Sequence, residues 1–505
     1  MAGAISDPES ACRHGIAVFT PAVPTSGSRT PQIMTDLLIT NGTVVTQNAD
    51  RQLVSGGAVA VTGDRISAIG PAERLENETT PDRVIDADGG AIVPGLINAH
   101  THVSDILLRG SFDQDRGLYD WLFNVKQAAL FEMGPEEYET AARLYCIEAI
   151  RSGTTTFVEN DTALDWNDLE PTRRKLDVYD RMGVRNIYGA GIRDLPVDAG
   201  FQRMFDEITA RDAESTHPGP DTLVVDTERA LNDVESLIEA HHAPEEGQSV
   251  WPAPATLATT TSDALSGSYR LAEEYDVMTT AHVAEAEAEV SERGALSSIE
   301  YLRNVGYLGD RALLGHCVQT NERDVRLLAQ TNTPVVHNFR ANMRIATGFA
   351  PVTSMLARDV TVGIGTDNSI LNDTINPLSD AGAVATAHKG YRRDSGVVSA
   401  QQAFDMVTCD AAEAIGRAGD LGSIEPGKQA DIAIVDLDRP HLTPSPEPVH
   451  ALVYGASGSE VRTVLCAGTV LLEDRELLAL DGSLNSFLAE ATATADHLVD
   501  RANIT

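Results

Sequence analysis

Eight short apolar runs recur through the middle of the chain, at 91–102, 154–159, 184–192, 249–255, 278–285, 312–318, 333–339 and 360–367. Amphipathic, helix-like stretches such as 321–331 separate most of them. Strands alternating with helices eight times predict an α/β fold, a (β/α)8 TIM barrel whose chemistry sits at the carboxyl ends of its strands. Outside this stretch the texture changes. From 37 to 93, short apolar runs are punctuated by turns at Asn41-Gly42 and Gly63-Asp64, the mark of hairpins, and the same texture returns at 431–435, 461–466 and 468–471. Neither end alone has enough strands to be stable. The expected organisation is therefore a β-sandwich composed from both chain ends (34–93 with 418–475), a barrel over 94–417 and a helical tail over 476–505. Residues 1–33, rich in Pro, Ser, Thr and Gly, read as a disordered extension or a mis-called start, because strand pattern and acidity both begin at Met34. Thr20 and Pro21 interrupt the apolar run there, so no secretory signal is expected.

Charge narrows the function. Against 75 acidic residues stand 38 basic ones, a net charge of −37. Such a surface repels phosphate backbones and anionic lipid, so neither nucleic acid nor membrane is an expected partner. No uninterrupted apolar stretch approaches the ~20 residues of a membrane helix. Only Lys126, Lys175, Lys389 and Lys428 are lysines. An acid-rich, lysine-poor chain fits solubility in concentrated salt, where screening relieves self-repulsion, and a halophilic source is expected. Five dispersed cysteines without a CxxC pair fit reduced thiols and a cytoplasmic location.

The polar residues of interest fall at the ends of the apolar runs. His100 and His102 end the first, and side chains two apart on a strand share a face, so both imidazoles can chelate one cation. His282 ends the fifth run. Glu285, three residues on, would face away on a continuing strand, so it must lie where strand gives way to loop. His316 ends the sixth run and Asp367 the eighth. Each alone has a plain alternative: a core histidine, a solvated glutamate, a helix-capping aspartate. Six such residues at four strand ends facing one mouth make coincidence a poor explanation.

The run from Val93 through Pro94, Gly95 and His100 to His102 resembles the opening metal motif of the amidohydrolase superfamily. The segments His282 to Glu285, Gly315-His316-Cys317 and Gly363 to Asp367 match its later motifs in order. Arg109-Gly110, Trp121-Leu122, Ser152 to Thr156 and Val336-His337-Asn338 resemble the branch of methylthioadenosine/S-adenosylhomocysteine deaminases, cytosine and guanine deaminases and triazine chlorohydrolases. Gly427 to Asp431 resembles the start of that fold's C-terminal β segment, so the likeness spans about 34–472.

That resemblance implies a hydrolase of non-peptide C–N bonds, deaminating a small cyclic amidine or N-heterocycle through a metal-activated water. It implies one divalent metal, Zn2+ or Fe2+, on His100, His102, His282 and Asp367, with Glu285, His316 and Asp367 as the catalytic residues. Binuclear members bridge their metals with a carboxylated lysine on the fourth strand. No lysine stands between Lys175 and Lys389, which favours a mononuclear site. Absence of a P-C-x-x-C pair argues against the other zinc-deaminase fold.

Arg109, Trp121, Asn160, Arg193 and Arg344 are candidates to line the substrate pocket, with purely structural roles as the alternative, and His241, His242, His337 and His388 read as non-ligands. Leu130 stands near the position of a ribose-binding glutamate in nucleoside deaminases, and Ala255 where many relatives have histidine. The heterocyclic small molecule is therefore left unnamed, and homo-oligomerisation is left open. Rival readings are a chlorohydrolase or cyclic-amide hydrolase on the same site, and a catalytically inactive interaction protein. Retention of all six residues weighs against the last. The charge reading is checked by thermal unfolding with and without molar salt: the midpoint should fall steeply in dilute buffer, and an unchanged midpoint would contradict it.

Overall fold

The computed structural model describes residues 35–111, 116–210, 217–286, 296–480 and 482–504. The expected extension over 1–33 lies outside them. Strands β1 (Leu96–His102), β2 (Thr154–Asp161), β3 (Arg185–Ile192) and β4 (Gln248–Pro254) pair in parallel in that order. Strands β5 (Thr279–Val283), β6 (Ala312–His316), β7 (Val335–His337) and β8 (Val362–Ile364) form a second parallel sheet.

These two sheets meet at both edges. On one side, Thr256 bridges His282 in parallel just beyond β4, and the His282 N–H donates to the Ala255 carbonyl at 3.3 Å. On the other, the chain leaving β8 passes Gly365 and Thr366 to reach Asp367–Asn368, which pair in parallel with Thr101 and His102 of β1. Nearly every residue of the eight strands is buried. Strands covered on both faces read as unbroken apolar runs, which explains why no alternation marks them in the sequence.

Helices follow the strands. Asn321 caps Glu322–Thr331 by accepting from the Arg323 and Asp324 N–H groups, and Val325 and Leu328 turn inward. A cap of this kind stabilises a helix by about 1 kcal/mol. Several strands are shorter than their apolar runs, and two show a clear cause. The run at 91–102 divides at Gly95: Ala91–Pro94 pairs antiparallel with Ile432–Val435, and only the second half enters the parallel sheet as β1. In the run at 333–339, Pro334 has no N–H to give, and β7 begins after it.

Both chain ends do share β structure. Leu37–Val45, Leu53–Thr62, Arg65–Pro71, Arg83–Asp86 and Ala91–Pro94 join Ile432–Val435, Val461–Cys466, Thr469–Glu473 and Glu476–Leu477. Where two stacked sheets were expected, the pairing is one continuous, branched sheet. Its branch point is Leu37–Val45, which pairs with Arg83–Asp86 over its first half and with Ala91–Pro94 over its second. Irregular register around Gly42 lets that strand turn between partners, and a Cβ there would lie 2.7 Å from Ile92 Cδ1. Ile39, Val59, Ile92, Ile432, Ile434 and Leu465 from both ends pack in one apolar cluster. The final helix, Leu484–Ala502, buries Phe487, Ala491 and Leu498, and Arg143 stacks on Phe487 with its guanidinium carbon 4.5 Å from the ring centre. Among the described residues no helix is long and apolar enough to cross a membrane.

Candidate metal centre and active site

Four strand ends converge on one buried cluster. His100 and His102 come from β1, His282 from β5, His316 from β6, and Asp367 from the short segment that closes β8 onto β1. The ring centre of His100 lies 5.3 Å from that of His102, 4.8 Å from His282 and 5.4 Å from His316. Asp367 Oδ1 is 3.3 Å from His102 Nε2 and 3.6 Å from His100 Nε2. All are buried, as is Glu285. Close approach is enforced by Gly365, where a Cβ would lie 2.6 Å from His100 Cβ and 2.5 Å from Asn338 Oδ1.

Local backbone aims these groups. Ala284 (φ 52°), His316 (φ 70°) and Asp367 (φ 60°) are non-glycine residues in the left-handed region. That conformation is uncommon outside glycine and gathers at functional sites. At Ala284 it breaks the alternation of β5, so Glu285 turns back toward the cavity, and its Oε1 lies 3.6 Å from His316 Nδ1.

Hydrogen bonding fixes the tautomers. His102 Nδ1–H donates to the Asn160 carbonyl at 2.6 Å, and His282 Nδ1–H donates to the Ala255 carbonyl at 2.9 Å. Burial holds His102 down to about 3 and His282 well below the usual imidazole range, so both rings are neutral. Each then has a bare Nε2 lone pair, and the two Nε2 atoms face each other at 3.1 Å. Two lone pairs at that distance repel unless a cation lies between them. Two Zn–N bonds of about 2.0–2.1 Å at a tetrahedral angle would set their nitrogens roughly 3.3 Å apart. His100 Nε2, buried and without a hydrogen-bond partner, belongs to the same group of potential ligands. A second such grouping joins His100, His316 and Asp367. The donor set fits a borderline divalent metal ion.

Charge around the cluster is partitioned. Burial would raise Asp367. Hydrogen bonds from His100 and His102 would hold it well below its ordinary range only with a proton on Nε2; with both protons on Nδ1 the carboxylate meets lone pairs instead. Glu285 goes the other way: burial first, then the charge of Asp367, push it up to about 8. Burial thus favours the protonated form of Glu285.

The description "Amidohydrolase family" matches residues 91–471, three quarters of the chain and every residue of the cluster. The chain belongs to that family. A 5-methylthioadenosine/S-adenosylhomocysteine deaminase of Syntrophobacter fumaroxidans is 33% identical over 461 residues, which cover 88% of this chain and 95% of the relative. A 5'-deoxyadenosine deaminase of Methanothermobacter thermautotrophicus is 33% identical over 443 residues, 86% of this chain and 94% of its own. Among solved structures, an adenosine deaminase from Xanthomonas campestris with bound zinc has a TM-score of 0.82 at 27% identity, covering 93% of this chain and 100% of its own. The protein is a hydrolase acting on carbon–nitrogen bonds other than peptide bonds.

Around the cluster, this amidohydrolase uses the expected pocket residues unevenly. Asn160 turns to the histidines: besides its carbonyl on His102, its side-chain amide contacts His100 Nδ1 at 3.0 Å. Its Oδ1 is otherwise orphaned, and the amide rotated by half a turn would accept from His100 Nδ1–H and leave Nε2 bare. Arg109 is held by Glu148 at 2.8 Å and Arg344 by Asp373 at 3.5 Å. Trp121 is buried beneath Lys126, whose Nζ is 5.5 Å from its ring centre. Arg193 stands at the rim, one residue past β3. His337 and His388 pair with each other at 3.1 Å.

Two lysines were missed as site residues. Lys126 Nζ donates to Asn368 Oδ1 at 2.5 Å, and Asn368 Nδ2 donates to Asp367 Oδ1 at 2.8 Å, so a buried cation steadies that carboxylate through one amide. Lys175 lies behind β2. It reaches Glu159 Oε1 and Asp161 Oδ2, each at 2.7 Å, while Tyr179 and Tyr188 donate to the same two carboxyl groups. Asn160 is the residue between them. Glu159 and Asp161 are thus clamped on the outer face of β2 while Asn160 faces the histidines on the inner one. Scarcity was the available signal, since two of only four lysines are fully committed here.

Lys175→Met should strand two buried carboxyl groups and destabilise the fold by about 3–5 kcal/mol. Chemical denaturation and residual metal content would check it. Wild-type stability with full metal retention would contradict the clamp.

Proposed function

We propose that this amidohydrolase is a mononuclear metal-dependent deaminase of an N-heterocycle carrying an amidine carbon, with an adenine-type ring suggested by the names of its relatives. The observation that carries the reading is the pair of bare Nε2 atoms on His102 and His282, 3.1 Å apart, with the buried Glu285 carboxyl group 3.6 Å from His316. His100, His102, His282 and Asp367 would hold Zn2+ or Fe2+, which when bound supplies Lewis acidity that lowers the pKa of a water molecule from about 15.7 towards ~7. Asp367 and His316 would orient a water molecule against the ring carbon, and Asp367 would accept its proton as the C–O bond forms. Glu285 donates its proton to the adjacent ring nitrogen; the proton held by Asp367 then passes to the amino group, which leaves as ammonia while the new hydroxyl returns its proton to Glu285 and becomes the carbonyl.

The eight-strand ring supports a closed (β/α)8 barrel over 94–417, with these residues at its carboxyl mouth. The terminal sheet is a separate unit built from 34–93 and 418–475. Leu130 is buried and apolar, and Ala255 gives its carbonyl to His282, so neither side chain can hydrogen-bond a sugar. Recognition accordingly rests on the ring rather than the ribose. Reduced cysteines and acidic surface fit a cytoplasm of high salt.

Glu285→Gln should keep the metal and lose about 10²–10⁴-fold in turnover, the worth of a general acid. His282→Ala should lose both metal and activity. Ammonia release with parallel metal analysis checks the pair, and near-normal turnover in either variant would overturn the roles. Because Glu285 acts in its protonated form, turnover should fall as pH rises through its raised pKa, and that basic limb should vanish in Glu285→Gln.

A further inference from the structure

The metal cluster occupies the carboxyl ends of the strands, yet a second cavity opens at their amino ends. It measures about 440 Å³, within the range of small-molecule pockets. Its walls are the last turn of the helix Glu170–Met182, the starts of β3 and β4, and the terminal strand Thr469–Glu473. Met182, Val184, Leu471 and Leu478 make much of that lining apolar, and Leu478 is left 52% exposed. The helical wall is anchored before any ligand arrives, because Tyr179 in its last turn donates to Glu159 at 2.7 Å.

One polar group in this lining is unmet. Asn186 is 1% exposed, its Nδ2 is buried without a partner, and among the described residues neither end of its amide is hydrogen-bonded. Two residues on, Tyr188 reaches Asp161 at 2.6 Å and Thr172 at 3.1 Å behind the sheet. Side chains at i and i+2 of a strand share a face, so Asn186 is directed toward the same helix whose last turn walls the cavity. A buried amide left unmatched is costly. Charge selects against an anion there. Asp180, Glu245 and Glu246 are exposed around the cavity, Arg181 is held by Glu139 at 2.9 Å, and Arg185 by Asp431 at 3.1 Å.

We propose that this cavity binds a second small molecule, a neutral flat heterocycle whose edge carries a hydrogen-bond donor beside an acceptor. A primary amide pairs with such a lactam or amidine edge through two parallel hydrogen bonds, while the apolar walls cover the ring. The inference goes beyond the deaminase reading and stands without it. The test uses isoquinolin-1-one, a lactam, and its N-methyl derivative, which lacks the donor; neither has an amino group to release. Calorimetry measures binding of both to the full chain, to Asn186→Leu and to Thr469→Trp.

In wild type, the lactam should bind about tenfold or more tighter than its N-methyl derivative. Asn186→Leu, close in volume, should erase that preference. Thr469 is exposed at the cavity, so Thr469→Trp blocks it without disturbing the core and should remove the lactam-selective binding even where Asn186→Leu does not fold. Binding that neither substitution alters belongs to the metal cavity. If all binding is of that kind, if the two rings bind alike in wild type, or if neither binds, the proposal is overturned.

Discussion

Two imidazole nitrogens that cannot tolerate each other define this molecule. His102 and His282 each spend their only proton on a backbone carbonyl, at 2.6 and 2.9 Å, and are left with lone pairs opposed at 3.1 Å. Protonating either ring is resisted by the burial that surrounds both. A cation relieves it. The surrounding architecture keeps those two lone pairs in place at the ends of strands far apart in sequence, in a group of residues that could hold a metal ion.

Holding that arrangement requires support on both sides of the strands. Behind β2, Lys175 neutralises the carboxyl groups that flank Asn160, and Asn160 then orients both His100 and His102. Beside β8, Lys126 reaches Asp367 through Asn368. Left-handed backbone at Ala284, His316 and Asp367 adds local strain that the packed strands must outweigh. Stability and geometry are coupled here, because buried residues outside the cluster fix the direction of the side chains within it.

Much of this was legible in the sequence because buried parallel strands leave a strong trace. All eight apolar runs became strands, and Asn321 marked its helix through the capping chemistry of its side chain. Resemblance identified the six polar residues, and strand spacing already implied that Glu285 had to leave the strand to reach the cavity. What sequence could not supply was pairing. The split of the first run at Gly95, and the joining of nine terminal strands into one branched sheet, depend on which distant strand lies alongside. Arg109 and Arg193 read alike as text, yet Glu148 claims the first and no described residue claims the second. The buried lysines carried no motif at all; their roles come from carboxylates on other elements.

The most direct test of the central claim is metal stoichiometry on protein purified in high salt, stripped with chelator and titrated with Zn2+. The account predicts a single equivalent bound per chain, with protons neither required nor released by His102 and His282 at neutral pH because both rings are already neutral. A correctly folded chain that takes up no cation, or that needs two, would contradict it.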